Sequence, residues 1–266
     1  MTLSASVRPL LLVALFLGSG AVAAQEFALV VSPPRFEDRA KPGDTYRNVF
    51  EMSNVSARAA TFSVYTADWA IDAQHSPVFS QTLAPGSCRP WVGIEAREVT
   101  IGGSGKRRFR FEVAVPADAP RGECRFAIMI EGEPQPARGD VPLPVSGRIG
   151  VIVYLAIGDA LPKLSVTEAL AADAQGQRLP VLRVRNDGDR HGRLDGFVAG
   201  VDAANRRFVL VPDNGPILPG VTRDIPLRPQ PPADGTPTPA ISFPLRIKGR
   251  LDAERQRVDV DATVAQ

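Results

Sequence analysis

The feature that most constrains the fold is a stretch of alternating apolar residues from Asp140 to Leu155, which reads DVPLPVSGRIGVIVYL. Val141, Leu143 and Val145 recur at every second position, the period of a pleated strand with one buried face. From Ile149 onward both alternating sets are apolar, so this half is expected to be covered on both faces. The stretch predicts a long strand that ends at the sequence GDALP, which we interpret as a boundary between two domains.

The first residues have the pattern of a secretory signal peptide. Residues 1–8 carry one positive charge, and an apolar run extends from Pro9 to Ala23, with small residues before a cleavage bond after Ala23 or Ala24. An uncleaved membrane anchor is the alternative, but the run is shorter than the ~20 residues that a transmembrane helix needs. We therefore expect residues 1–24 to be removed, no integral membrane segment after signal removal, and a periplasmic location.

The length that remains indicates two domains. About 240 residues follow the signal peptide, and domains usually contain ~100–150 residues. We place the first domain at residues 25–158 and the second at 159–266. The 25 prolines and 23 glycines separate short apolar runs, a pattern typical of short strands joined by turns. The predicted fold class is all-β, with two immunoglobulin-like β-sandwich domains.

Turn signals in the first domain predict seven strands. Pro33 and Pro34 interrupt the first strand and force it to an edge or to a switch between sheets. The strand that ends at Asn54 is expected to form a hairpin with residues 60–69. Residues 108–115 alternate apolar and polar side chains and give the clearest half-buried strand.

The second domain repeats this pattern of short strands. A weak echo links the two domains, because each has a strand that ends in Asn, at Asn54 or Asn186. Each also has a Pro-Gly turn before a later strand, at Pro85–Gly86 or Pro219–Gly220. We interpret the domains as two related sandwiches. The seven predicted strands of the second are 164–170, 181–186, 194–201, 207–211, 222–227, 243–251 and 257–264.

The charge of the chain is nearly balanced. Lys and Arg number 31 against 29 Asp and Glu, for a formal net charge of +2. One of the positive charges, Arg8, leaves with the signal peptide. This balance does not direct the protein to nucleic acid or to an acidic surface, so no nucleic-acid partner is expected.

Two cysteines, Cys88 and Cys124, form an even set in an exported chain, which favours a disulfide. Cys88 is expected to open the strand before residues 108–115 and Cys124 the strand after it, so both would lie at one end of adjacent strands. Two free thiols are the alternative. Because the chain lacks a C-x-x-C motif, we interpret the bridge as structural.

Catalytic residues are not indicated. The only histidines, His75 and His191, fall in different domains and in turn-like surroundings, so spacing suggests no Ser/His/Asp set. Arg138–Asp140 reads as the cell-adhesion tripeptide, for which a solvated loop is the simplest interpretation. We therefore expect neither an enzyme nor a cofactor.

A possible calcium loop is also interpreted as a turn. Asp187, Asp189 and Gly192 have the spacing of calcium-loop residues. Val198 stands where the bidentate Glu belongs, and flanking helices are missing from the pattern. A hairpin turn is favoured, and no metal site is expected.

Several segments together resemble the periplasmic PapD-like chaperones, which assist the assembly of pili and fimbriae. They are ALVVSPPRF at the start, PGDTYRNVFEMSN ending at Asn54, VPADAPRGECRFAI from Val115 to Ile128, and RIGVIVY. The resemblance covers nearly the whole mature chain and is clearest in the first domain. It implies two sandwich domains and a non-enzymatic function.

The resemblance also implies a way of binding a partner. In that family, the strand that closes the first domain lends alternating apolar side chains to an incomplete pilus subunit, a form of β-strand addition. The implied positions here are Val141, Leu143 and Val145. Pro142 and Pro144 lack N–H donors on one side of this strand, which would either blunt its open edge or remove pairing to the previous strand.

The family anchors the subunit's C-terminal carboxylate with an N-terminal Arg and a Lys on the closing strand. Gly150 stands at the Lys position, and Arg148 lies two residues earlier. Arg148 is the expected replacement if this strand has an anchor, but pairing to an acidic neighbour in its own domain is the favoured interpretation of this residue. For the N-terminal Arg, the choices are Arg35 and Arg39.

The sequence thus predicts a divergent chaperone for surface-appendage assembly. Its expected partners are proteins, a pilin-like subunit and an outer-membrane usher. The alternative is a non-enzymatic structural or adhesive cell-envelope protein built from immunoglobulin-like modules. A chaperone must release its client, whereas a structural complex persists.

Overall fold

The computed structural model describes residues 28–72, 76–136, 144–174, 176–233 and 235–265. Within these ranges the chain forms nineteen strands and one short 3-10 helix, Arg89–Trp91. No helix there is long and apolar enough to cross a membrane. The predicted all-β class, with two sandwich domains, is confirmed.

The first domain contains two facing sheets. One has the strand order β1-β3-β8-β6, and the other has the order β2-β12-β9-β4-β5, with β7 beside β4. A two-residue ladder, β10-β11, lies outside both sheets. The strands are β1 (Leu29–Ser32), β2 (Arg35–Ala40), β3 (Thr45–Asn54), β4 (Ala60–Ile71), β5 (Pro77–Ser80), β6 (Val92–Ile94), β7 (Glu98–Ile101), β8 (Lys106–Ala114), β9 (Gly122–Gly132), β10 (Gln135–Pro136), β11 (Pro144–Val145) and β12 (Arg148–Ile157).

The second domain is one seven-stranded sheet with the order β13-β14-β17-β16-β15-β18-β19. The Gln256 side chain accepts the N–H of Leu164 at 2.9 Å and donates to its carbonyl at 2.6 Å, which ties β19 to β13. The sheet therefore folds back on itself around its core. The strands are β13 (Leu164–Ala174), β14 (Gln177–Asn186), β15 (Asp195–Val201), β16 (Arg207–Pro212), β17 (Thr222–Pro229), β18 (Leu245–Ala253) and β19 (Gln256–Val264), one for each predicted segment.

Alternation of side chains explains why these strands form sandwiches. On β8, Phe109, Phe111 and Val113 are buried, and the residues between them are exposed. Phe50 on β3 packs against Phe109 with ring centroids 5.2 Å apart. Each such side chain stabilises the fold by roughly 1.5–3 kcal/mol on burial. One core consists of buried residues between Leu29 and Ile157 from the two facing sheets, and a separate core draws on β13 to β19.

Pro33 and Pro34 mark a switch between sheets, one of the two predicted outcomes. Before them, β1 pairs with β3 in the smaller sheet. After them, β2 lies parallel to β12 in the larger sheet. Both strands are at sheet edges, where the missing proline donors cost no ladder hydrogen bond.

The hairpin predicted after Asn54 is wrong. β3 pairs with β1 and β8, whereas β4 pairs with β5, β7 and β9 in the opposite sheet. The buried Asn54 amide donates to the carbonyls of Arg58 at 2.7 Å and Ile101 at 3.1 Å. These bonds hold a turn that carries the chain across the sandwich, so a strand-ending Asn here indicates a crossing between sheets.

Asn186 makes the same arrangement in the second domain. Its amide donates to the carbonyls of Arg190 and Ile217, both at 2.8 Å. In both domains the first acceptor is therefore four residues after the Asn. Gly86 and Gly220 of the two Pro-Gly turns share a positive φ of 74°. The echo between the domains thus has a structural counterpart.

The long strand predicted from Asp140 to Leu155 is divided. The described part consists of β11 and β12, with residues 146–147 outside both strands; residues 140–143 lie outside the described ranges. Pro144 pairs with Pro136, so contact with the preceding segment is kept. β12 is covered on both faces, as predicted, because Val153 enters the core while Tyr154 is buried on the other face. The boundary at residue 158 stays a prediction.

The structure pairs Cys88 with Cys124, as predicted, with their Cα atoms 5.5 Å apart. Cys124 lies in β9. Cys88 does not open a strand but precedes the 3-10 helix, because the chain crosses towards β6 at this point. Both residues are buried in the first core, so the bridge links β9 of the larger sheet to the segment that leads to β6 of the smaller sheet.

Removing the disulfide should lower the free energy of unfolding by about 4 kcal/mol at most, since the bridge closes a loop between residues 36 positions apart. The change is Cys88→Ala with Cys124→Ala, measured by urea unfolding. The reduced parent protein is the control and should unfold at the same urea concentration as the double variant. Two reactive thiols in the unfolded, unreduced parent would contradict the pairing.

Candidate functional site

The larger sheet of the first domain carries a second apolar face, directed away from the core. Trp69 and Tyr154 meet there edge to face, with ring centroids 5.5 Å apart. Leu218 of the second domain packs against this face and is 4% exposed. We name this set the cleft cluster: Ala67, Trp69, Ala127, Met129, Tyr154 and Leu218. It forms a contact between the two domains.

His191 fixes the second domain beside this cluster. It lies in the loop between β14 and β15, is 3% exposed, and places its ring centroid 3.9 Å from that of Tyr154. Its Nδ1 is 2.5 Å from Oε2 of Glu123, and its Nε2 is 3.4 Å from Oε2 of Glu37. Glu37 also pairs with Arg193 at 3.1 Å. A buried imidazole between two carboxylates therefore joins β2 and β9 to the second domain.

The contact between His191 and Glu37 changes the ionisation of both residues. Burial lowers the pKa of His191, but hydrogen bonds and charge interactions with Glu123 and Glu37 outweigh burial and raise it. The hydrogen bond to His191 lowers the pKa of Glu37 to about 2, against burial and with the help of Arg193. His191 is thus favoured in its charged form between the two acids.

The loop that contains His191 was predicted to be a hairpin turn, and this is wrong. β14 pairs with β13 and β17, and β15 pairs with β16 and β18. The loop instead packs into the domain junction, where Asp189 accepts the N–H of Leu161 at 2.8 Å and pairs with Arg121 of the first domain. Asp187 pairs with Arg185 at 2.6 Å. These carboxylates are engaged by protein groups.

The described ranges contain no group of three or more His, Cys, Asp or Glu arranged to hold a metal ion. His75, the tripeptide at 138–140 and the predicted signal peptide at residues 1–24 cannot be compared with the fold, because they lie outside the described residues. No local pattern in the sequence indicates that His191 is buried. Its partners Glu37 and Glu123 are more than 60 residues distant along the chain.

The first part of β12 has an open edge. β2 pairs only with Ile152–Ile157, so Arg148–Val151 pair with β9 on one side and with no other described strand. The N–H of Ile152 donates to the Pro34 carbonyl at 3.1 Å, on the side of β2. Because backbone groups alternate in direction along a strand, the polar groups of Arg148 and Gly150 point to the open side.

Arg148 lies at the far end of this open edge. It is exposed and stands directly across from Glu131 on β9. Tyr65 donates to Glu131 at 2.9 Å, and burial raises the pKa of Tyr65 while a hydrogen bond from Arg148 opposes the rise. Arg148 therefore has polar neighbours of its own domain, and both predicted roles for it remain open.

Arg35 and Arg39 lie in different surroundings. Arg35 is opposite Ile152, where the open edge stops; its side chain is 51% exposed and its Nε is 2.8 Å from Glu37. Arg39 donates to the carbonyl of Ala160 at 3.0 Å and pairs with Glu254 at 2.5 Å. Arg39 thus contacts the second domain, while Arg35 faces solvent beside the edge.

Gly150, at the position of the family's Lys, has a packing reason to be glycine. A Cβ atom there would lie 3.1 Å from Sδ of Met129 and 3.2 Å from Cζ of Phe79. A larger residue would therefore require the side chains of Met129 and Phe79 to shift. Of the predicted client-binding residues, Val141 and Leu143 lie outside the described ranges, and Val145 lies in β11.

The solved structures that match the chain include fimbrial chaperones. The YadV chaperone matches with 11% identity and a TM-score of 0.46, over 89% of this chain and 99% of that chain. The class 5 fimbriae chaperone CfaA matches with 11% identity and a TM-score of 0.45, over 90% and 99%. A structure of Salmonella enterica SafA pilin with the SafB chaperone matches with 10% identity and a TM-score of 0.44, over 90% and 99%. No family model and no curated protein matches the sequence.

The contact of His191 with Glu37 and Glu123 predicts a stability contribution that is greatest at mildly acidic pH. The raised pKa of His191 makes its contribution complete below the unfolded value of about 6.5 and lost as pH rises through the folded pKa. The lowered pKa of Glu37 makes its contribution complete above 4.5 and lost as pH falls towards 2.

His191→Gln cannot become charged, so the difference in melting temperature between parent and variant should be largest near about pH 5.5 and shrink towards about pH 9. Asp259→Asn is the control, because its carboxylate pairs with Arg250 at the surface and is 78% exposed. That variant should differ little from the parent at any pH. A difference for His191→Gln that does not vary with pH would contradict a charged imidazole in the junction.

Proposed function

We propose that this protein is a periplasmic chaperone-like factor that assists pilus, fimbria or other surface-appendage assembly by binding subunits along β11 and β12. The observation that carries the proposal is the open edge of β12 at Arg148–Val151 beside the cleft cluster. The expected client is a pilin-like subunit that lacks a strand, and the expected second partner is an outer-membrane usher.

Strand addition would use the backbone of the open edge. An extended client segment can pair with the outward polar groups of Arg148 and Gly150, and main-chain hydrogen bonds of this kind supply much of the affinity. The apolar residues Val141, Leu143 and Val145 precede the edge and would fill the gap in the client's core. The backbone of the edge would thus pair with the client, and the apolar side chains would select it.

The anchor for the client's terminal carboxylate would be an arginine at one end of the edge. Arg35 stands opposite Ile152, at the end of the edge next to the cleft cluster. Arg148 lies four residues before Ile152, roughly 13 Å along the strand. A guanidinium can bind a carboxylate through two hydrogen bonds, but one carboxylate can reach only one of these ends. Arg35 is favoured because its side chain is 51% exposed beside the open edge, whereas Arg39 is directed to Ala160 and Glu254 of the second domain.

Arg35→Gln should weaken subunit binding by roughly 10- to 100-fold, the loss expected for a hydrogen bond between charged groups. Arg47→Gln is the matched control, since Arg47 is also an exposed arginine whose Nε pairs with a glutamate, at 3.0 Å. Each variant would be co-expressed with a pilin-like subunit, and the subunit recovered with the protein would be measured. Equal recovery with both variants would remove Arg35 as the anchor.

Arg148→Glu tests the other end of the edge. An anchoring role predicts lost binding at an unchanged melting temperature, whereas a structural role beside Glu131 predicts a lower melting temperature. Leu143→Asp should abolish capture of the same subunit with little loss of stability. If neither variant changes capture, β11 and β12 are not the binding strand.

Release of the client separates a chaperone from a structural or adhesive envelope protein. A labelled subunit bound to the protein should exchange with unlabelled subunit, because a chaperone must transfer its client. A complex that persists under the same conditions would support the structural alternative.

A further inference from the structure

The outer face of β15 and β16 is apolar, in contrast to the rest of its sheet. The inward residues Val198 and Leu210 are fully buried, as alternation requires. The outward residues Phe197, Val209 and Val211 are 64%, 42% and 38% exposed. We name as the β15-β16 face the outward set Phe197, Ala199, Val201, Val209 and Val211.

These side chains form one continuous patch. The register places Ala199 beside Val209, and Phe197 and Val211 each follow directly on the last paired residues, Val198 and Leu210. Val201 extends the row on β15. Exposed apolar residues are ordinary when scattered, but a contiguous patch on a sheet face indicates a surface that another molecule covers.

Basic residues border the patch on both sides. On β18, Arg250, Lys248 and Arg246 stand across from Phe197, Ala199 and Val201 in turn. On the other side are Arg228, which is across from Val211 on β17, and Arg207.

Only part of this basic border is neutralised. Asp213, Asp261 and Asp259 pair with Arg228, Lys248 and Arg250. Arg207 and Arg246 have no ion pair within the described ranges. Asp195 and Asp252 are exposed at the Phe197 end of the same two rows, so the unpaired positive charge, Arg207 and Arg246, lies at the Val201 end of the apolar centre.

The charges and shape of the face distinguish the molecules that could cover it: a second copy, a membrane or another protein. A second copy stacked face to face with its strands aligned would place Arg207 and Arg246 of both copies against each other, which repels. Insertion into a membrane generally uses an amphipathic helix, whereas these side chains lie on a flat sheet. An apolar centre that contains an aromatic residue and has arginine at its border is typical of protein interfaces.

We propose that the β15-β16 face binds a second protein partner, through a surface with apolar side chains flanked by carboxylates. The face lies on another sheet than the open edge of β12 and shares no residue with it. A client on β12 and this partner therefore occupy different residues, and the proposal does not rest on the function proposed above.

The test uses the full-length protein with a photo-crosslinking phenylalanine analogue at position 197, expressed in its own cells. Val55, which is 61% exposed in the first domain, is the control position. We expect a crosslink from position 197 alone, to a segment of another protein in which carboxylates flank apolar residues. Arg246→Glu should reduce the crosslink about tenfold, and replacing the partner's carboxylates by Lys should restore it. Arg255→Glu, an exposed change in the same domain, should have no effect.

Other outcomes overturn the proposal. They are no crosslink at position 197, a crosslink only to a second copy of this chain, or one that charge reversal neither weakens nor restores. Two measurements on the purified protein identify the rival occupants. Dimerisation in sedimentation equilibrium that Phe197→Glu abolishes would indicate self-association. Binding to vesicles of phosphatidylglycerol and phosphatidylethanolamine that the same variant abolishes would indicate a membrane surface.

Discussion

The larger sheet of the first domain is apolar on both faces, and the arrangement of the two domains follows from this constraint. One face, which includes Val153, packs on the smaller sheet, and the other, which includes Tyr154, needs a second cover. Leu218 and His191 of the second domain supply part of that cover. The hydrophobic effect, rather than a linker alone, therefore holds the domains together beside the open part of β12.

Buried charge gives this contact its orientation. An apolar contact tolerates sliding, but His191 must meet Glu123 and Glu37 together, because an unpaired charge at that depth would cost several kcal/mol. Arg39 adds a bond from the first domain to Ala160, close to where β12 gives way to the second domain. The polar groups thus select one arrangement out of those that the apolar cluster would allow.

The sequence predicted those features that depend on local pattern. For each of the seven strands of the second domain, the alternation of side chains or the bounding turns can be seen in the sequence. The switch between sheets at Pro33 and Pro34 follows from the N–H donors that these prolines lack. The pairing of strands was not predictable in this way. Asn54 ends a strand in either case, and only its bonds to Arg58 and Ile101 decide that the chain crosses to the other sheet. The role of His191 was missed because its partners are distant in sequence.

An open strand edge is normally a hazard, since it offers unpaired backbone groups to any extended chain. Here the edge of β12 is limited to Arg148–Val151, because β2 covers the strand from Ile152 onward. Arginines stand at both ends, at Arg148 and Arg35, and long charged side chains on an edge oppose unselective pairing. The Phe79 ring packs where a side chain at Gly150 would lie, so the middle of the edge presents backbone alone. If β12 binds a client as proposed, a short edge with a bare centre and charged ends would select an extended segment that brings a carboxylate or another acidic group to an arginine.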